Sequence, residues 1–457
     1  MTQAMQSAIA LTSESAPVPV DARRNIFAFM TDIMAFMVGT YFVPSTTVLV
    51  GLASQLTEDK ALIGAVGMTW AVSWFLPQLV AARVVRGKRY QKPYLIIPSL
   101  FGRNAFLLLA LWLMITGAQP PLLTVWMLIG AVAAFNVCDA LAGVAWFDML
   151  SRALSPRIRA RVVSVGQILG GVLGIGAGVA VERILAPETG LPFPQNYALV
   201  FTCTWVFMVI SLVAAMLIRE IPMDPTEQQQ AQHVAFLSSL RQALRGDKTF
   251  VRVLTLRLLT GIELMAASFY LVFAREVLQL GEGVTGQFNM ALIVGGLAGI
   301  ALFGWLADRF TALSVVRAAA LMQAIAPATA LLFVLLSAEA PRALALASFF
   351  LIFALRGAIE HSLVLGVVSY LMDSAPQRHR AMYVGALNTV SGIVALSPLL
   401  GGLWLDGFIA AGQRALGYGS MFAAVAALAF AGFGLSLKLP RLAINIESFR
   451  QEMKAAA

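Results

Sequence analysis

Twelve apolar runs, each close to the length of a membrane-crossing helix, constrain this chain more than any other feature of its sequence. They centre within residues 25–52, 61–82, 94–117, 122–147, 162–184 and 197–218, then 250–275, 284–306, 314–336, 342–372, 381–405 and 417–438. A helix needs about 20 apolar residues to cross a hydrocarbon core of roughly 30 Å at 1.5 Å per residue. Numbered 1 to 12 in chain order, the runs predict an all-α membrane protein with twelve transmembrane helices in two six-helix sets. Composition points the same way. The chain is 59% hydrophobic and 12% charged, against ~25% charged for a soluble domain. A mean hydropathy of +0.82 excludes a soluble enzyme, a disordered chain or a nucleic-acid binder. Cys138 and Cys203 lie inside apolar runs and imply no disulfide framework, metal site or redox motif.

The net charge of +9 has to be read by its placement. Of the 32 Lys and Arg, 24 fall on the side of the N-terminus, the even-to-odd connections and the C-terminus; 5 fall on the other side and 3 within runs. Positive charge marks the cytoplasmic face, so both termini are expected in the cytoplasm. The first residues lack the basic start of a cleaved signal and read as a tail over 1–24. Two bundles, 25–218 and 250–440, flank a linker over 219–249, and a second tail occupies 441–457. In the linker Phe236, Leu237, Leu240 and Leu244 share one helical face beside Arg241 and Arg245. Either an amphipathic helix on the inner membrane surface or a plain linker fits that pattern.

The two sets repeat each other. Thr31-Asp32-Ile33 leads ten residues on to Tyr41-Phe42-Val43, and Thr260-Gly261-Ile262 leads ten residues on to Tyr270-Leu271-Val272, an offset of 229. DMLSRALSPRIRARVVSVGQ (148–167) is similar to MDSAPQRHRAMYVGALN (372–388), with Pro156 over Pro376 at an offset of 220. Parallel six-helix repeats are the mark of a duplicated transporter. With Gly304-Trp305-Leu306-Ala307-Asp308-Arg309 after run 8, the chain resembles the major facilitator superfamily of secondary transporters over nearly its whole length. The resemblance implies two pseudo-symmetric bundles, a cytoplasmic gating motif in Gly304, Leu306, Ala307, Asp308 and Arg309, and a central cavity lined by runs 1, 4, 7 and 10. After run 2 the matching segment, QLVAARVVRGKRYQKP, keeps the basic residues and has Ala82 in place of the motif's Asp. Ser397 to Gly402, SPLLGG, is similar to an antiporter motif but lies in run 11.

An ionisable group at bilayer depth costs at least ~2.5–3.5 kcal/mol, so each one is a functional candidate. The candidates are Asp32 in run 1, Arg103 in run 3, Asp139 in run 4, Arg257 and Glu263 in run 7, and Arg356, Glu360 and His361 in run 10. Substrate or proton-coupling roles are expected for Asp32, Asp139, Glu263, Arg356, Glu360 and His361. Arg356 and Glu360, at i and i+4, can pair on one helix face, either as a fixed salt bridge or as one that opens during transport. A carboxylate in an apolar cavity holds its proton more tightly, the property a proton carrier needs. His361 reads more readily as a hydrogen-bonded structural residue. Arg103 and Asp139 lie at similar depth, about eight to ten residues above the inner ends of their helices, which predicts a structural pair. Asp32 and Arg257 form either a cytoplasmic gate or a pair of groups reaching to water, with snorkelling favoured for Arg257.

Run 5 carries Gly166, Gly170, Gly174 and Gly178, and run 8 carries Gly295 and Gly299 at the same spacing. Such ridges imply close backbone approach. The resemblance places runs 5 and 8 across the two halves, so these glycines are expected at the inter-half surface, with packing inside one half as the alternative. No P-loop, HExxH or GxSxG occurs, and no catalytic residue, cofactor or metal is expected. The sequence therefore leads to a proton-coupled secondary transporter moving a small organic solute by alternating access. The alternatives are a gradient-independent facilitator and a non-transporting receptor or assembly factor. Expected partners are a small-molecule substrate, protons and the lipid bilayer, with no nucleic acid, and the chain is expected to act as a monomer. Short loops and no Asn-x-Ser/Thr sequon fit a multi-pass protein of a bacterial inner membrane.

Overall fold

The computed structural model describes residues 20–85, 88–186, 190–222, 243–281, 283–336, 341–375 and 380–441. The surface helix read from Phe236, Leu237 and Leu240 lies outside these residues, as do most of both tails. All regular structure among the described residues is helical. Among the described residues eleven helices are long and apolar enough to cross a membrane: Arg23–Leu56, Lys92–Thr116, Pro121–Ala153, Arg161–Leu185, Gln195–Leu217, Lys248–Glu276, Val284–Arg309, Ala312–Leu335, Arg342–Glu360, Tyr383–Ala410 and Arg414–Leu437.

Run 2 is the exception. It folds as Lys60–Phe75 and Gln78–Val85, broken at Leu76 and Pro77, so neither piece reaches the needed length. Proline has no N–H to give the helix ladder and its ring clashes with the preceding turn, which places the break. Four other runs are interrupted, run 11 among them at Ala395 and Leu396, between Arg380–Val394 and Ser397–Ala410. Run 1 passes from Val20–Tyr41 through Pro44 into a π-helical turn, Ser45–Leu49. Run 7 divides at Ile262 between Lys248–Gly261 and Glu263–Glu276, and run 10 widens into π-helix at Leu363–Val368. π-turns are rare and are found mostly at functional sites.

Large apolar side chains cover the outer surface, with Ile115 81% and Leu335 75% exposed. On a water-soluble protein such a surface would aggregate; against lipid it carries no penalty. The helices gather in two groups whose pairings match. In runs 1–6, run 1 packs on runs 5 and 6, run 2 on run 4, and run 3 on runs 4 and 6. In runs 7–12 the same pairings recur with every number raised by six. The groups meet where run 2 packs on run 11 and run 5 on run 8.

Candidate functional site

Two cavities of about 320 Å³ each lie within the bundle, one lined from runs 1 to 5 and the other mainly from runs 2, 7 and 10, with Ser391 and Val394 of run 11. Trp74, one turn before the break in run 2, lines both. All the intramembrane charges singled out in the sequence line one cavity or the other, apart from His361, whose side chain lies outside the described residues.

The first cavity holds Asp32, Arg103 and Asp139 among Phe36, Trp74, Trp146 and Phe147. Asp32 is fully engaged: it accepts from Trp146 Nε1 at 2.7 Å and Ser211 Oγ at 2.5 Å, and Arg103 Nη2 is 3.7 Å away. Arg103 Nη1 donates to the Met208 carbonyl at 3.3 Å, and its guanidinium lies 5.9 Å from the Phe36 ring centre. The expected Arg103–Asp139 pair is therefore replaced by Arg103–Asp32. Gly102 explains the change. Its Cα faces run 4 so closely that an added Cβ would lie 2.6 Å from Cys138 Cβ. Arg103, about 100° further round the helix, consequently points away from run 4 toward runs 1 and 6. Asp139 lines the cavity and makes no hydrogen bond or ion pair with any described residue.

The second cavity is built round one shared cation. Arg356 Nε lies 3.7 Å from Glu263 Oε2, and Arg356 Nη2 lies 3.7 Å from Glu360 Oε1. Both separations exceed hydrogen-bonding range, and buried Glu263 Oε1 and Arg356 Nε have no hydrogen-bond partner among the described residues. The network is an electrostatic balance rather than a locked bridge. Its carboxylates differ in access, the Glu263 side chain being 3% exposed and that of Glu360 43%. The break at Ile262 puts Glu263 in the first turn of Glu263–Glu276, where a negative charge is favoured by the helix dipole. Ser45 and Ser362, at the two π-helical segments, line the same space. Arg257 does not snorkel to water: it donates from Nε to Ser391 Oγ at 2.9 Å and faces this cavity. Asp32 and Arg257 thus belong to different cavities and form no gate with each other.

The polar contacts joining the two groups of helices cluster at one end, where sequence reasoning counted the basic residues for topology and singled out none of the acids. Lys60, 3% exposed, reaches across to Glu276 Oε1 at 2.5 Å. Asp406 of run 11 caps the opening turn of run 2, accepting from the Lys60 N–H at 2.9 Å and the Ala61 N–H at 2.7 Å. Arg275 Nη1 donates to the Gly51 carbonyl at 3.3 Å, and Asn289 Nδ2 to the Tyr41 carbonyl at 3.0 Å. Backbone meets backbone at this end: a Cβ on Gly64 would overlap the Pro398 carbonyl, and one on Gly402 the Lys60 carbonyl. At the opposite end the named bonds stay within each group, as in Asn25 with Arg219, and Tyr383 Oη donating to Asp247 at 2.8 Å.

The glycine ridges face differently from the sequence expectation. Gly166, Gly170 and Gly174 pack on Ile33, Met37 and Tyr41 of run 1, inside their own group. Gly295 and Gly299 pack on Ala354 and Ala358 of run 10, again inside one group. Gly178 meets Met290 and Ile293 of run 8, joined by Gly171 against Leu297. A helix with two neighbours needs small residues on two faces, and the four-residue spacing alone does not say which neighbour each face meets. Gly304, Leu306 and Ala307 close the run-8 helix, where a Cβ on Gly304 would meet open space, and Asp308 and Arg309 are exposed.

With this geometry in view, the comparisons are consistent among themselves. The model for the Major Facilitator Superfamily matches residues 25–398. No curated protein matches the sequence. Among solved structures, the nucleoside transporter NupG is 14% identical, with 90% of this chain and 99% of that one covered at a TM-score of 0.62. A bacterial homologue of the human lysosomal transporter Spinster, in an inward-facing and unoccupied conformation, is 16% identical over 93% and 99% at 0.61. A POT family transporter in complex with 5-aminolevulinic acid is 10% identical over 92% and 97% at 0.67. At these identities the likeness is one of fold.

Proposed function

We propose a transport function on a premise now in place: the chain belongs to the major facilitator superfamily. It is a multi-pass membrane protein, and our reading is a secondary active transporter that moves a small organic solute by alternating access, coupled to protons. Run 2, helical on both sides of Pro77, counts in this reading as the twelfth span. Bundles 25–218 and 250–440 rock against each other about the run 2–run 11 and run 5–run 8 contacts. Both termini lie in the cytoplasm, so the Lys60–Glu276–Asp406 end faces outward and is closed. The chain works as a monomer in a bacterial inner membrane.

One observation carries the coupling: among the described residues, Arg356 is the one cation within 4 Å of both carboxylates. When both are ionised, Arg356 divides its attraction between them. A proton on Glu360, the more exposed, would release Arg356 to Glu263; a proton on Glu263 would release it to Glu360. Each arrangement changes the charge facing Trp70, Trp74 and Phe75 of run 2 across the cavity, which links proton occupancy to the fit between the halves. Arg257, held by Ser391, supplies a second cation to the same space. His361 follows Glu360 on the same helix and remains a proposed contributor.

The test is accumulation of a solute panel by proteoliposomes with and without an imposed pH gradient. Gradient-dependent movement of at least one solute, lost in both Glu263→Gln and Glu360→Gln, is the expected result. Retention of gradient-driven accumulation by both variants would remove these residues as carriers, and equal movement without a gradient would make the protein a facilitator.

A further inference from the structure

We infer that the first cavity receives a cationic group borne on an apolar body, with Asp139 as its counter-ion, so that the transported class is organic ammonium compounds. The inference deepens the transport reading and rests on it for calling the bound molecule a solute.

Charge accounting in the cavity leads to this class. Of its three ionisable groups, Arg103 is spent on Asp32, the Met208 carbonyl and the Phe36 face. Asp32 is spent on Arg103, Trp146 and Ser211. Asp139 faces the space with no partner among the described residues. The three groups leave one net negative charge, on the partly buried Asp139, whose carboxylate has no ion pair or hydrogen bond among the described residues, and a charge held away from bulk water favours a counter-ion. The walls suit a cation with an apolar body. Trp74, Trp146 and Phe147 line the cavity, and aromatic faces attract ammonium groups, most of all those too bulky to be well hydrated. An anion would meet the opposite conditions, because the one cation lining the cavity among the described residues, Arg103, is already engaged. The second cavity has two Arg and two Glu and no such imbalance. The volume of about 320 Å³ limits the cation to the small end of drug-like molecules.

Binding is measured by isothermal titration of purified protein in lipid nanodiscs, with no gradient present. The probes are trimethyl(4-phenylbutyl)ammonium and 4-phenylbutyrate, matched in body and opposite in charge. The ammonium compound is expected to bind at least about tenfold more tightly, and Asp139→Asn to bring the two within about twofold. Gly143 also lines the cavity, its added Cβ lying 3.4 Å from Trp74 Cη2. Gly143→Leu should therefore fill the space and weaken the ammonium probe by about tenfold or more without touching a charge. The inference is overturned if 4-phenylbutyrate binds as tightly in the unaltered protein. Survival of the preference in Asp139→Asn, or unchanged ammonium binding in Gly143→Leu, would overturn it equally. Asp139-dependent ammonium binding without any gradient-driven transport would defeat only the transport reading. Proton-coupled movement of solutes with no charge preference would defeat only this inference.

Discussion

The two cavities flank the same tryptophan and have similar volumes, yet they handle charge in opposite ways. In the first, a carboxylate–guanidinium pair is closed off by Trp146, Ser211 and the Met208 carbonyl, and a second carboxylate is left over. In the second, one guanidinium lies 3.7 Å from each of two carboxylates, the same separation as Arg103 from Asp32, but here Glu263 Oε1 and Arg356 Nε have no hydrogen-bond partner among the described residues. A saturated pair is rigid and cheap to keep buried, whereas an under-satisfied one responds to any added proton or ion. On the proposed reading, this difference separates a place where a solute is recognised from a place where occupancy is converted into movement.

Removing the arginine on each side should show the largest contrast. Arg356→Ala leaves Glu263 and Glu360 without their close cation and should cost about 3–5 kcal/mol, read as a lowered melting temperature in detergent. Arg103→Ala leaves Asp32 its Trp146 and Ser211 donors, so a loss of about 2 kcal/mol is expected. Equal losses would break the comparison.

A second contrast lies between the two ends of the molecule. Asp406→Asn removes the charge that caps run 2 across the halves, and should shift the balance between closed and open outer ends by about 1–3 kcal/mol, or 5–150-fold. Pulsed electron–electron resonance between spin labels at Glu58→Cys and Gln413→Cys, both exposed positions, should then show a longer distance. An unchanged distribution would mean that the Lys60–Glu276 contact alone keeps that end shut.

The smallest effect distinguishes glycines between the halves from those within one. Gly402→Ala brings a methyl onto the Lys60 carbonyl and should lengthen the same label distance. Gly166→Ala meets Ile33 Cβ at 3.1 Å inside one group; it should cost about 1 kcal/mol of stability and leave the distance distribution alone.

Sequence reasoning reached the parts of this picture that follow from one-dimensional quantities. Apolar run length marks where helices form, and the cost of charge in lipid marks Asp32, Asp139, Glu263, Arg356 and Glu360 as the residues to examine. It failed where direction round a helix decides. Depth along runs 3 and 4 matches Arg103 to Asp139, but Gly102 uses the face toward run 4 and turns Arg103 to Asp32. A four-residue glycine spacing announces a close neighbour without naming it. Glu276 and Asp406 carry no local sign of their contact with Lys60, because they lie 216 and 346 residues from it in the chain. Pro77 inside run 2 was the one available signal for the broken helix.

The division of roles is tested most directly by proton flux. Proteoliposomes loaded with a pH-sensitive dye receive an inward gradient of trimethyl(4-phenylbutyl)ammonium, which cannot cross lipid as a neutral amine. The unaltered protein should shift the internal pH. The double variant Glu263→Gln/Glu360→Gln should still bind the probe without moving protons, and Asp139→Asn should bind it about tenfold more weakly and lose the pH shift at low probe concentration. A pH shift that persists in the double variant would contradict the assignment of coupling to the second cavity.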